Sequence, residues 1–179
     1  MSDAAGYLLD SHVLLWWWFD PDRLPGPVQA LITDPATPVL VSAATLWELS
    51  LKHHQGKLPE LAQVIGELPG LLQADGFQPL PIALAHGVRA GTYSQPHRDP
   101  LDRMLAAQAE LERLVLLTAD PQLTMFPCHT SGPRPDPAAA LQSKPAPRSF
   151  SHWRWAANSA SWRPTTCQNA LEWLGWMVP

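Results

Sequence analysis

Four acids are placed where they could do chemistry together: Asp10, Glu48, Asp102 and Asp120. Asp10 closes the apolar run Tyr7-Leu8-Leu9, and Asp120 follows the apolar run that begins at Leu114. Glu48 comes one to two turns after Ser42, the residue that ends Val39-Leu40-Val41. Asp102 falls in the first turn of a helix opened by Asp99-Pro100. In open α/β sheets, ligands collect outside the carboxyl ends of the strands. Four carboxylates gathered there repel one another. Hard divalent cations such as Mg²⁺ or Mn²⁺ relieve that repulsion, because they prefer carboxylate and water oxygens. Such a site can orient and activate a water and stabilise the charge of a phosphodiester transition state.

Each acid also has an ordinary structural role open to it. Asp10 can cap the helix that follows its strand. Glu48 and Lys52 stand four apart, as a solvated helix pair would. Asp99 and Asp102 match a capping-box-like start. Asp120, before Pro121, suits a turn or cap. Other chemistries fit less well. There is no GxxxxGK[ST] loop and no HExxH. The seven histidines do not pair with cysteines at zinc spacing. No GxSxG elbow surrounds Ser42, and His12 stands where a phosphoaspartyl hydrolase would carry its second Asp.

The elements that must position these acids alternate strand with helix, which predicts an α/β fold with a mostly parallel sheet. Strands are expected at Tyr7–Leu9, Val39–Val41, Phe77–Ile82 (a proline-marked edge) and Leu114–Thr118. Helices are expected from His12 to Phe19, Val28 to Thr33, Ser42 (as N-cap) to Gln55, Glu60 to Ala74, Ala83 to Ala90 and Asp99 to Arg113. Trp16-Trp17-Trp18 belongs to a helix apolar nearly all round, so it reads as core, with any surplus serving a protein face.

Charge and composition divide the 179 residues in two. Residues 1–127 carry −7, so nucleic-acid binding there needs something to offset the carboxylates. Residues 128–179 carry +3, seven of the twenty prolines and five of the nine tryptophans. The stretch 128–149 reads as disordered on composition, and only 169–177 has an amphipathic pattern. The expected organisation is a catalytic domain over 1–127 and an irregular tail over 128–179. No apolar run approaches the ~18 residues of a membrane span. The two cysteines, Cys128 and Cys167, supply no disulfide framework for the body, which makes a reducing, cytoplasmic location the expectation.

The segments YLLDSHVLLWW, VLVSAATLWELSLKHHQGKL, HRDPLDRMLAAQA and LVLLTADPQL resemble, in order, the four signature blocks of the PIN domain. Within it they are similar to the VapC-like toxins of type II toxin–antitoxin systems, over about residues 6–126. The resemblance implies a three-layer α/β/α fold and a Mg²⁺- or Mn²⁺-dependent endoribonuclease. It implies that Asp10, Glu48, Asp102 and Asp120 are the metal-holding, catalytic acids, with Asp99 an accessory acid. Ser11 stands where the family commonly has Thr, and Thr118 keeps a hydroxyl beside the acids. His97, Arg98 and Arg103 flank the acid block and are candidates, with Ser11 and Thr118, to contact the RNA. The resemblance further implies a homodimer and a cognate antitoxin whose C-terminal segment blocks the site. One departure stands out: the family's last strand has no visible counterpart, since Met125-Phe126-Pro127 leads straight into Cys-His-Thr-Ser-Gly-Pro. The competing expectations are a catalytically inactive, partner-binding PIN remnant and a phosphatase using the same acids.

Overall fold

A computed structural model describes residues 5–132. The amphipathic stretch 169–177, and most of the stretch read as disordered, lie outside the described residues. Five strands form one sheet: β1 (Tyr7–Leu9), β2 (Val39–Ser42), β3 (Gln78–Leu80), β4 (Val115–Leu117) and β5 (His129–Ser131). Their spatial order is β3-β2-β1-β4-β5, and all four pairings are parallel. Leu8 lies opposite Leu40 on one side and Leu116 on the other, so three apolar runs form the sheet's centre. Such strands are stable only when both faces are covered.

Alternation along the strands sends side chains to two separate cores. Leu9, Val39, Val41 and Leu117 meet Val13 and Leu14 of α1 (Ser11–Phe19), Ile32 of α2 (Gly26–Thr33), Leu49 of α3 (Ala43–His54) and Leu72 of α4 (Leu68–Ala74). On the other face Leu8 and Leu116 meet Ala90 of α5 (Leu84–Thr92) and Leu105, Ala106 and Ala109 of α6 (Pro100–Leu111). The result is a three-layer α/β/α fold, as expected, with a wholly parallel sheet.

Two expectations are corrected. Glu60 to Ala74 is not one helix. It forms 3₁₀ turns over Pro59–Gln63 and Ile65–Glu67, and α4 begins only at Leu68. Gly66 weakens helix in the middle of that stretch, and Pro69 has no N–H to bond the preceding turn. The apparently missing last strand is present as β5, inside the segment assigned to the tail. Val115 pairs with His129 and Leu117 with Ser131, and the Thr118 amide donates to the Ser131 carbonyl at 2.9 Å. His129-Thr130-Ser131 escaped notice because an edge strand needs little apolar character: His129 and Ser131 are exposed and Thr130 is partly so.

The Trp helix is core as expected in part. Trp18 is buried, while Trp16 and Trp17 are partly so. The indole N–H groups of Trp17 and Trp18 donate to one Asp75 oxygen at 3.3 and 2.9 Å, joining the end of α1 to the end of α4. Burial pushes the Asp75 carboxyl pKa up, and the two indole bonds pull it back.

Gly132, just after β5, runs so close to β4 that an added Cβ would lie 2.1 Å from the Thr118 carbonyl oxygen. That atom belongs to backbone, so the substitution cannot be absorbed by a side-chain rotation. Gly132→Ala should therefore lower the melting temperature by several degrees. A chain ending at Pro127 should melt below one ending at Gly132, because it lacks β5. Thermal melts of the three proteins check this; equal midpoints would mean β5 contributes nothing.

Candidate active site at the carboxyl end of the sheet

The chain runs outward from β1 to β2 and β3, then returns to place β4 on the other side of β1. The boundary between β1 and β4 is therefore a topological switch point, where neighbouring connections diverge and leave a crevice. Asp10 stands there. Its backbone N–H donates to the Leu117 carbonyl at 3.0 Å, and its own carbonyl accepts from Leu14 in the first turn of α1. It occupies the N-cap position of α1, yet its side chain makes no capping bond. The carboxylate instead accepts a 2.7 Å bond from the Thr118 hydroxyl, just past β4. It is 4% exposed, and His12 Nδ1 lies 3.9 Å from it. Asp10 bonding, with Glu48 beyond, raises the His12 pKa.

Glu48 faces the same side. It accepts from the buried Ser11 hydroxyl and pairs with Lys52 one turn further along α3. That lysine was legible only as half of a helix pair. The structure places the pair inside the site rather than on a solvated face, since the Glu48 side chain is 13% exposed. Ser42, at the end of β2, is spent elsewhere: its hydroxyl caps α3 at the Ala44 amide and donates to buried Gln108 of α6.

Asp102 enters from the first turn of α6 and accepts from His97 Nε2 at 2.7 Å. Burial pushes its pKa up to about 6, and the charges of Asp99 and Asp10 push the same way. The His97 bond opposes them. Asp102 and Asp10 therefore share one electrostatic neighbourhood. Asp99 takes the ordinary structural role: it caps α6 through the Leu101 amide at 2.8 Å and the Asp102 amide at 3.5 Å. Asp120 caps the short 3₁₀ turn after β4 through the Gln122 amide, and its own amide bonds the Thr118 hydroxyl.

The expected RNA-contacting residues fare differently. Arg103 is engaged by backbone: its guanidinium donates to the carbonyls of Ala90, Tyr93, Gln95 and His97, tying the end of α5 and the loop before α6 to the start of α6. His97 is held between Asp102 and the edge of Phe126. Ser11 and Thr118 turn their hydroxyls to the acids, fixing Glu48 and Asp10. Arg98 is exposed.

Every acid thus has a local partner. Among the described residues, no group of three or more His, Cys, Asp and Glu is gathered as a ready-made cage for a metal. The donor chemistry nevertheless fits a hard cation. Asp10, Glu48 and Asp102 are oxygen donors, each facing one displaceable partner: His12, Lys52 and His97. Mg²⁺ usually keeps several waters and takes only one or two carboxylates, so it does not demand a closed cage.

The raised Asp102 pKa sets a pH dependence. A carboxyl favoured in its protonated form by the fold contributes stability below its unfolded pKa, near 4, and loses it as pH rises through about 6. With a chelator present, Asp102→Asn should gain stability relative to the unsubstituted chain between pH 4 and 6.5. Urea midpoints across that range check it, and a constant difference would contradict it.

Known proteins share the fold. The PIN domain family matches residues 7–126. No curated protein matches the chain in sequence. Among solved structures, that of VapBC2 from Rickettsia felis, bound to a DNA fragment from their promoter, shares 15% identity at a TM-score of 0.53. The alignment covers 70% of this chain and 97% of that one. FitAcB from Neisseria gonorrhoeae shares 21% identity at a TM-score of 0.51, over 71% and 97% of the two chains. At such identities the likeness establishes the fold. With two-thirds of its length matched and the sheet order and strand-end acids in place, the chain belongs to the PIN domain family.

Proposed function

We propose that the chain is a metal-dependent endoribonuclease toxin of a type II toxin–antitoxin pair, hydrolysing phosphodiester bonds in single-stranded regions of RNA. The observation that carries this reading is the placement of Asp10. It is a buried carboxylate at the switch point, held by Thr118 and electrostatically coupled to Asp102, with Glu48 adjoining through Ser11. A stability-driven sequence would not keep those carboxylates together, because burying charges near one another costs free energy.

In this reading Asp10, Glu48, Asp102 and Asp120 would hold Mg²⁺ or Mn²⁺. The chemistry such a cation supplies when bound is activation of water and neutralisation of charge on the phosphodiester. The chain's own residues do the rest. Thr118 and Ser11 fix the directions of two carboxylates. His97 holds Asp102 in place, and Lys52 keeps positive charge beside Glu48. Asp99 and Arg103 hold the start of α6, and with it Asp102, in position.

The partners follow from the resemblance to VapC-like toxins, and the fold likeness to VapBC2 supports the antitoxin among them. They are a cognate antitoxin, a second copy of the chain and the RNA. The partly exposed Trp16 and Trp17 of α1 suit a protein face, with Arg23 lying 4.3 Å above the Trp16 ring. A cytoplasmic location belongs to the same reading. Among the described residues no helix is long and apolar enough to cross a membrane.

Cleavage of a mixed-sequence RNA in Mg²⁺ or Mn²⁺ tests the assignment. Asp10→Asn and Asp102→Asn should each slow cutting by at least about 100-fold while the chain stays folded. Asp99→Asn should stay within a few-fold of the unsubstituted chain, because Asn caps as well as Asp. Full activity in Asp10→Asn would overturn the reading.

A further inference from the structure

We propose that Arg98 is the phosphate anchor of the site, holding the backbone of single-stranded RNA beside the acids. An RNA must reach a body that carries −7 over residues 1–127, so a cation near the acids has to meet its phosphates. The described residues contain seven lysines and arginines, and their places decide which of them can do so. Lys52 is paired with Glu48 and Arg89 with Glu110. Arg103 is engaged by four backbone carbonyls, and Arg23 lies over the Trp16 ring. Lys57, Arg98 and Arg113 remain: among the described residues their side chains make no hydrogen bond or ion pair.

The topology separates these three. Arg113 stands at the amino end of the sheet, because it precedes β4 and its carbonyl accepts from Ala5, just before β1. The helix α3 leaves the carboxyl end of β2 and runs for 12 residues, so about 18 Å of helix separates Lys57 from that end. Arg98 alone of the three is at the carboxyl end, in the loop that enters α6. It follows His97, whose Nε2 bonds Asp102 at 2.7 Å, and the charge of Asp10 reaches the same Asp102. The backbone on both sides of Arg98 is held. Arg103 donates to the Gln95 and His97 carbonyls at 3.0 and 3.1 Å. On the other side Asp99 Oδ1 accepts from the Leu101 amide at 2.8 Å, so the acid adjoining Arg98 is committed to capping α6. An exposed guanidinium on a held backbone is a preorganised donor, and its planar fork of N–H groups matches phosphate oxygens. Such a contact positions a strand without reading its sequence.

This inference rests on the nuclease reading, and binding separates the two. Anisotropy of a labelled mixed-sequence 12-nucleotide RNA, measured in EDTA over a series of salt concentrations, reads the anchor without cleavage. One phosphate contact on a single strand contributes about 0.7 to the slope of log affinity against log salt, or roughly eightfold in affinity at about 50 mM salt. Arg98→Ala should lose that much of both, and Arg98→Lys should keep the slope because the charge remains. Lys57→Ala should bind as the unsubstituted chain does. Melting temperatures should be unchanged in all three variants, since neither side chain makes a bond among the described residues. Equal slope and affinity in Arg98→Ala and the unsubstituted chain would overturn the proposal. So would undetectable binding by the unsubstituted chain, an equal loss in Lys57→Ala, or a lower melting temperature in Arg98→Ala. A labelled oligoglutamate that binds as tightly as the RNA, and is lost in Arg98→Ala, would also overturn it, assigning the arginine to protein carboxylates. Arg98-dependent RNA binding without cleavage in Mg²⁺ would uphold the anchor and reject the nuclease.

Discussion

Mutual repulsion among carboxylates at the end of a parallel sheet is the constraint on which the rest of this structure depends. Asp10, Glu48 and Asp102 come from three different elements; the charge of Asp10 reaches Asp102, and Glu48 is bonded to Ser11, the residue after Asp10. The chain tolerates this by giving each acid a donor of its own: Thr118 for Asp10, with His12 3.9 Å away, Ser11 and Lys52 for Glu48, and His97 for Asp102. The compensation is incomplete at Asp102, where burial and the neighbouring acids outweigh the histidine and hold the pKa near 6. A site left in that state favours the arrival of a divalent cation.

The supporting scaffold is arranged around those donors. Gln108, fully buried in α6, accepts from Ser42 at the end of β2 and donates to the Pro81 carbonyl just past β3. Arg103 gathers the Ala90 carbonyl of α5 and three carbonyls of the loop before α6. Gln108 ties the body of α6 to the sheet, and Arg103 ties its first turn, with Asp102, to α5 and that loop. Polar groups that look available to a ligand in the sequence are thus consumed in holding the acids still. A preorganised site needs such support, because small displacements of its groups weaken it sharply.

The sheet's centre and the places of the acids relative to its strands and helices were legible in the sequence for physical reasons. Apolar runs ending in Asp or Ser leave few alternatives to a buried parallel strand. Three features were not legible. The break near Gly66 and Pro69 was hidden by apolar spacing that suits a helix but ignores the missing N–H. The strand at His129–Ser131 has no apolar signal, because it lies at the edge and its pairing is carried by backbone. The destination of Arg103 depends on a loop folding back over its side chain, which spacing along α6 cannot reveal. For Asp99 and Asp102, which the sequence already separated, the structure adds where each carboxylate points: one to backbone amides, the other to His97.

The central claim is that these carboxylates form a cation site whose occupancy competes with the proton on Asp102. Calorimetric titration of Mn²⁺ in buffers of different ionisation enthalpy measures both the binding and the protons released. Binding at pH 7.5 should release few protons and binding at pH 6 more. Asp102→Asn should remove the difference, and Asp10→Asn should remove most of the binding. Mn²⁺ binding that is unchanged by Asp10→Asn and releases the same number of protons at both pH values would contradict it.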